Sequence, residues 1–131
     1  ASRKLSEAKI YIDDSSVNDP NDILSKCRRI KREHGLDFVM IDCAQYDMRW
    51  HTSHMFPEES VNACKTLGAK LTMPVHWGAY SLSTHAWDDP PVRFLKSAEE
   101  FEIAVVTPML GETMNIDTPE QYKEKWWENI K

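Results

Sequence analysis

Histidine and carboxylate side chains gathered at one edge of a fold are the raw material of a divalent-metal site. Neutral imidazole and carboxylate both ligate zinc-like ions. The 131-residue chain holds five histidines, and four of them, His51, His54, His76 and His85, lie at or beyond the ends of apolar runs. Asp42 closes one such run with Cys43 beside it, and Asp13 and Asp14 close another. His76, Asp42, His51, His54 and His85 are therefore the candidate metal ligands. Their spacing is not that of a helical zinc motif, because Thr52 and Ser53 stand between His51 and His54 and no HExxH occurs. The plain alternative for each is a loop histidine that is solvated or hydrogen-bonded. No catalytic residue stands out, since there is no G-x-S-x-G elbow. No nucleotide-binding residue stands out either: a P-loop and a G-x-G-x-x-G are both missing, and four glycines in all leave little for a phosphate cradle.

The elements that would carry these groups alternate along the chain. Residues 9–13 (Lys-Ile-Tyr-Ile-Asp) have the composition of a strand. Asp19 offers an N-cap with Pro20 at the first helical position, and Ile23, Leu24, Cys27 and Ile30 form an apolar stripe that ends at His34-Gly35. The run from Phe38 to Ile41 reads as a strand buried on both faces. Pro57-Glu58-Glu59 opens a second helix, with Val61, Cys64 and Leu67 inward and Gly68 as its stop. Residues 71–75 make a third strand. Asp89-Pro90-Pro91 opens a third helix with Val92, Leu95, Ala98 and Phe101 inward, and residues 103–106 make a fourth strand. Thr118-Pro119-Glu120-Gln121 has the form of a capping box for a terminal helix carrying Tyr122, Trp126 and Ile130. The order βαβαβαβα predicts a single α/β domain over residues 1–131. Its architecture would be a four-stranded, mainly parallel sheet in a Rossmann-like layered sandwich. Ligands of such sheets sit outside the carboxyl ends of the strands, where His51, His54, His76 and His85 would gather while His34 lies elsewhere. Trp50, Trp77 and Trp87 fall in the same rim loops.

Composition narrows the possible partners. The net charge of −5 opposes phosphate-driven nucleic-acid binding. The basic cluster Lys26, Arg28, Arg29, Lys31 and Arg32 reads first as a solvated helix face. No apolar run reaches the length of a membrane span. Three cysteines without CxxC spacing predict reduced thiols, so a soluble, cytoplasmic chain is expected. A sheet face left uncovered would favour a homodimer.

Two resemblances then emerge. Leu5-Ser6-Glu7-Ala8, Ile10-Tyr11-Ile12-Asp13-Asp14, Lys26-Cys27-Arg28-Arg29-Ile30-Lys31-Arg32-Glu33-His34-Gly35-Leu36 and Val39-Met40-Ile41-Asp42 resemble the Walker B region of DnaB-type replicative helicases. The resemblance implies a magnesium-holding role for Asp42, but the phosphate-binding Walker A loop is absent. From residue 37 onward another family is matched. Met40-Ile41-Asp42-Cys43-Ala44-Gln45-Tyr46, Trp50-His51, His54-Met55-Phe56-Pro57-Glu58-Glu59-Ser60, Pro74-Val75-His76-Trp77-Gly78 and Leu110-Gly111-Glu112 resemble the closing portion of metallo-β-lactamase-fold hydrolases. The branch is that of N-acyl-phosphatidylethanolamine phospholipase D and ascorbate-phosphate lactonase. That resemblance implies a metal-ligand role for His76. The family's H-x-H-x-D-H motif has no counterpart, so the two-metal centre is incomplete.

The two resemblances meet at the apolar run ending in Ile41-Asp42, with residues 1–42 on one side and 37–131 on the other. The expectation is an engineered chimera joined within that strand, without an intact catalytic site, bound cofactor or obligatory partner. The alternative is a truncated metal-dependent hydrolase of lactonase or phosphodiesterase type, holding zinc or another divalent ion through His76.

Overall fold

The computed structural model describes residues 7–14, 19–40, 46–50, 54–80 and 83–130. Three α-helices form among them where the local signals placed them. Helix α1 spans Pro20–His34. The Asp19 carboxylate accepts the Asn21 amide at 2.8 Å, which satisfies one of the orphan donors of the first turn. Helix α2 spans Pro57–Leu67. The Glu59 carboxylate reaches back to the Phe56 amide at 2.7 Å, and Gly68 closes the helix at φ 68°, a left-handed turn that glycine adopts without a Cβ penalty. Helix α3 spans Asp89–Glu100, with Pro90 and Pro91 in its first turn, where their missing amide hydrogens cost nothing.

Helix α2 packs against both α1 and α3. Val61, Phe94, Ala98 and Val105 are the buried centre, with Cys64, Leu95 and Ile103 closing its edges. Helix α1 rests on this core by a half-buried stripe and has no fully buried residue. The inward face of α3 differs from the one expected. Phe94, Ser97 and Ala98 are buried with the two prolines, whereas Val92 is 47% exposed and Phe101 lies at the edge under the Lys65 ammonium, 3.8 Å from its ring centre.

The expected four-stranded sheet does not form. Strand β1 (Leu71–Thr72) pairs in parallel with strand β2 (Ala104–Val105), and α3 lies in the crossover between them. The Val106 amide extends the ladder to the Thr72 carbonyl at 2.9 Å. Residues 9–13 and 38–40 carry no strand; Ile12 is 88% exposed and Phe38 is 62% exposed. Residues 41–42, where the second expected strand ends, lie outside the described residues. The physical reason is that β-propensity expresses packing against neighbouring strands. Here the described helices pack on one another and on the β1–β2 pair, and among the described residues neither apolar run is paired with a strand.

The expected terminal helix is also replaced. Two short 3-10 turns, Pro119–Tyr122 and Trp126–Asn129, stand in its place. Carbonyls that an α-helix would use internally are taken by Thr107. Its amide donates to Tyr122 O at 2.6 Å and its hydroxyl to Glu124 O at 3.1 Å. Tyr122, Trp126 and Trp127 are nonetheless buried, while Ile130 is exposed. Among the described residues no helix is long and apolar enough to cross a membrane.

Candidate functional site: the histidine rim and its aromatic floor

The loop after β1 positions His76. Its Pro-Val-His-Trp-Gly run is wound tightly, with the Trp77 indole donating to Pro74 O at 2.9 Å. His76 itself adopts φ 64° and Gly78 φ 81°. A left-handed conformation is unfavourable for a side-chain-bearing residue and is sustained only where the surroundings impose it. Here the imposition is visible in Trp77, which stacks on Trp126 with ring centres 5.4 Å apart and meets Trp127 edge-on at 5.1 Å. Trp87 adds a fourth ring, 6.5 Å from Trp126. The exposed His76 is thus presented from a tryptophan floor assembled by two loops and the chain terminus.

His54, just ahead of α2, meets His76 with ring centres 5.5 Å apart and planes tilted by 46°. These two of the five candidate ligands are brought together. His85 goes elsewhere: it stacks on Tyr46 at 4.5 Å, Nε2 receives the Tyr46 amide at 3.4 Å, and Nδ1 lies 2.8 Å from Ala86 O. Both of its ring nitrogens are therefore engaged. Asp42 and His51 lie outside the described residues, as do Cys43 and the side chain of Trp50. Asp13 pairs with Lys26 of α1, and His34 stacks on Tyr11 at 5.1 Å. Among the described residues no three His, Cys, Asp or Glu side chains are placed to hold a metal ion. A catalytic zinc takes three protein ligands, so the described donors do not make up such a centre.

Beside His85 sits an ionic and aromatic cluster that sequence reasoning did not single out. The Tyr46 hydroxyl donates to Asp89, the Arg93 guanidinium lies 4.4 Å from the Tyr46 ring centre, and Arg93 grips Glu58 through two 2.7 Å bonds. Burial, then the Asp89 hydrogen bond, push the Tyr46 hydroxyl above its ordinary range. Burial alone would raise Glu58, but the Arg93 hydrogen bonds and charge outweigh it and hold the carboxyl below its usual range. The only sequence signal for this clamp was the acidic first turn of α2. A separate half-open cleft of about 340 Å³ lies between the segment after β2 and the last turns, walled by Thr107, Leu110, Tyr122 and Trp126.

Residues 24–77, from α1 through the His54–His76 rim, match the beta-lactamase superfamily domain. An uncharacterised protein of Mycobacterium tuberculosis is 32% identical over 103 residues, 76% of this chain and 27% of that protein. The mitochondrial N-acyl-phosphatidylethanolamine-hydrolyzing phospholipase D of Saccharomyces cerevisiae is 32% identical over 95 residues, 68% of this chain and 20% of that enzyme. The replicative DNA helicase DnaB of Geobacillus stearothermophilus is 37% identical over 75 residues, 54% of this chain and 16% of the helicase. The chain resembles two families at once. The two shares together exceed the whole chain, so the similarities overlap, and the beta-lactamase match already includes most of α1. The chain spans little more than a quarter of the length of the mycobacterial relative and less of the others. No solved structure matches it.

Proposed function

We propose that the chain is an engineered composite of a helicase-like segment and a beta-lactamase-superfamily segment, and that it has no complete catalytic centre of its own. The observation that carries this reading is the pair of partial similarities, to 20% of a phospholipase D and 16% of a helicase. Of the five candidate ligands, His54 and His76 meet and His85 is bound up with Tyr46 and Ala86, while Asp42 and His51 lie outside the described residues. On the helicase side, Asp13 is engaged with Lys26 of α1, and the sequence carries no phosphate-binding loop for Asp42 to serve. The expected behaviour is a folded protein that turns over neither lactones nor phosphodiesters with zinc or manganese, and does not hydrolyse ATP. Assays with each substrate class at high protein concentration test this. Metal-dependent turnover that disappears in His76→Ala would overturn it.

The His54–His76 approach favours one second reading, a cut-down metal-dependent hydrolase. In it the two imidazoles are part of a divalent-ion site completed by Asp42 or His51. This reading requires tight binding of zinc, and loss of both affinity and turnover when either histidine is removed.

A further inference from the structure

The half-open cleft beside the C-terminal turns has walls of one chemical character. Its volume of about 340 Å³ falls in the range of small-molecule sites. Leu110 and the rings of Tyr122 and Trp126 supply apolar surface, Glu112 and Glu124 supply negative charge, and among the described residues no lysine, arginine or histidine lines it. The hydrogen-bond donors of the walls are largely spent. The Trp126 indole donates to Thr107 O at 3.1 Å, the Thr107 hydroxyl to Glu124 O at 3.1 Å, and the Tyr122 hydroxyl to Thr113 O at 3.3 Å. Acceptors are not. Glu112 takes the Met109 amide at 2.8 Å through one oxygen, and among the described residues neither carboxylate is paired with a lysine or arginine. The walls are also fixed in place, because Trp126 stacks on Trp77 at 5.4 Å and meets Trp127 edge-on at 5.8 Å.

We propose that this cleft binds a small organic cation, an alkyl- or arylammonium whose charge meets Glu112 and Glu124 and whose apolar body meets Leu110, Tyr122 and Trp126. Three features select that class. An anion would face two carboxylates with no cation in the walls to answer it. A bare metal ion needs several oxygen or nitrogen donors around it, and among the described residues no three His, Cys, Asp or Glu side chains are so placed. An ammonium joined to an apolar body uses both kinds of surface at once, since the carboxylates attract its charge and indole and phenol rings attract cations through their quadrupoles. Walls held by the Thr107 bonds and the tryptophan stack need little ordering when the ligand arrives, which favours binding. The site stands apart from the His54–His76 pair and asks nothing of it, so it goes beyond the composite reading of the chain.

Titration calorimetry and nitrogen-15 NMR of the full chain with benzyltrimethylammonium test the proposal, with benzyl alcohol and benzoate as the neutral and anionic counterparts. The expected result is saturable binding of one cation per chain, with resonance shifts concentrated on the Trp126 indole and the Gln121 side-chain amide. Benzyl alcohol binds about tenfold more weakly and benzoate not measurably. Glu124→Gln weakens the cation about fivefold and the double variant with Glu112→Gln weakens it further, the modest single effect reflecting solvent screening. Glu99→Gln, at the exposed end of α3, leaves the affinity unchanged. A chain with no saturable binding at millimolar cation would overturn the proposal. So would equal binding of benzyl alcohol, an affinity indifferent to both glutamate substitutions, or shifts gathered elsewhere in the chain. Should Glu112→Gln disturb the turn at Met109, Glu124→Gln alone decides, because among the described residues the Glu124 carboxylate holds no other group.

Discussion

Thr107 does more for this fold than its size suggests. Its amide, hydroxyl and carbonyl each hold a different part of the C-terminal segment: Tyr122 O, Glu124 O and the Trp126 indole, the last at 3.1 Å. Thr107→Val keeps the shape but strips the hydroxyl from a buried position and leaves the Glu124 carbonyl without that donor. The expected loss is about 1–3 kcal/mol, seen as a lowered midpoint in urea denaturation, with Thr107→Ser recovering most of it. None of this was legible in the sequence, because a threonine that bonds to carbonyls 15 to 17 residues downstream leaves no periodic or motif signature. His76 presents the opposite case. Its place at a rim followed from the apolar run before it, but its left-handed backbone at φ 64° did not. Because glycine tolerates that conformation and alanine does not, His76→Gly is expected to be more stable than His76→Ala by about 1 kcal/mol, measured by thermal denaturation of the two variants.

At the scale of elements, α1, α2 and α3 were legible because their signals are local. Asp19, Pro20, Glu59, Gly35 and Gly68 act within one turn of where they stand. The absence of strands at residues 9–13 and 38–40 was not, since a strand exists only by virtue of a partner that the local pattern cannot supply. The terminal tryptophans divide in the same way: their burial was readable from type, their 3-10 geometry was not. Trp126 spends its indole hydrogen on Thr107 O, whereas Trp127 Nε1 is buried with no partner among the described residues. Trp127→Phe is therefore expected to cost less than Trp126→Phe, and Trp127→Ala about 3–5 kcal/mol through the cavity it leaves. Urea titrations followed by circular dichroism measure all three. The clamp joining α2 to α3 has its own pH signature. The folded Glu58 carboxyl titrates below its ordinary value of 4.5, so the pair stabilises the fold above that pH and loses its contribution as pH falls through the lowered folded value. Thermal midpoints recorded from pH 6 down to pH 3 should fall less steeply in Glu58→Gln than in the unaltered chain.

At the scale of the whole molecule, the similarities to two families overlap, and the core around Val61, Phe94, Ala98 and Val105 is drawn from the segment after residue 54. Helix α1 sits on that core without a single fully buried side chain. The described residues thus form a helix pair and a short parallel ladder, against which a basic helix packs, with the apolar residues 10–12 and 38–40 exposed. The similarity to two families was visible in the motifs. The reduced sheet was not, because a shortened sheet keeps the same apolar runs as a complete one. The central claim concerns the rim, where two imidazoles meet without a third described ligand. Native mass spectrometry of the chain, incubated with excess zinc and then desalted, tests it most directly. The expected spectrum is that of the metal-free chain, indistinguishable from His76→Ala. One or two zinc ions retained per chain, and lost in His76→Ala, would contradict the account.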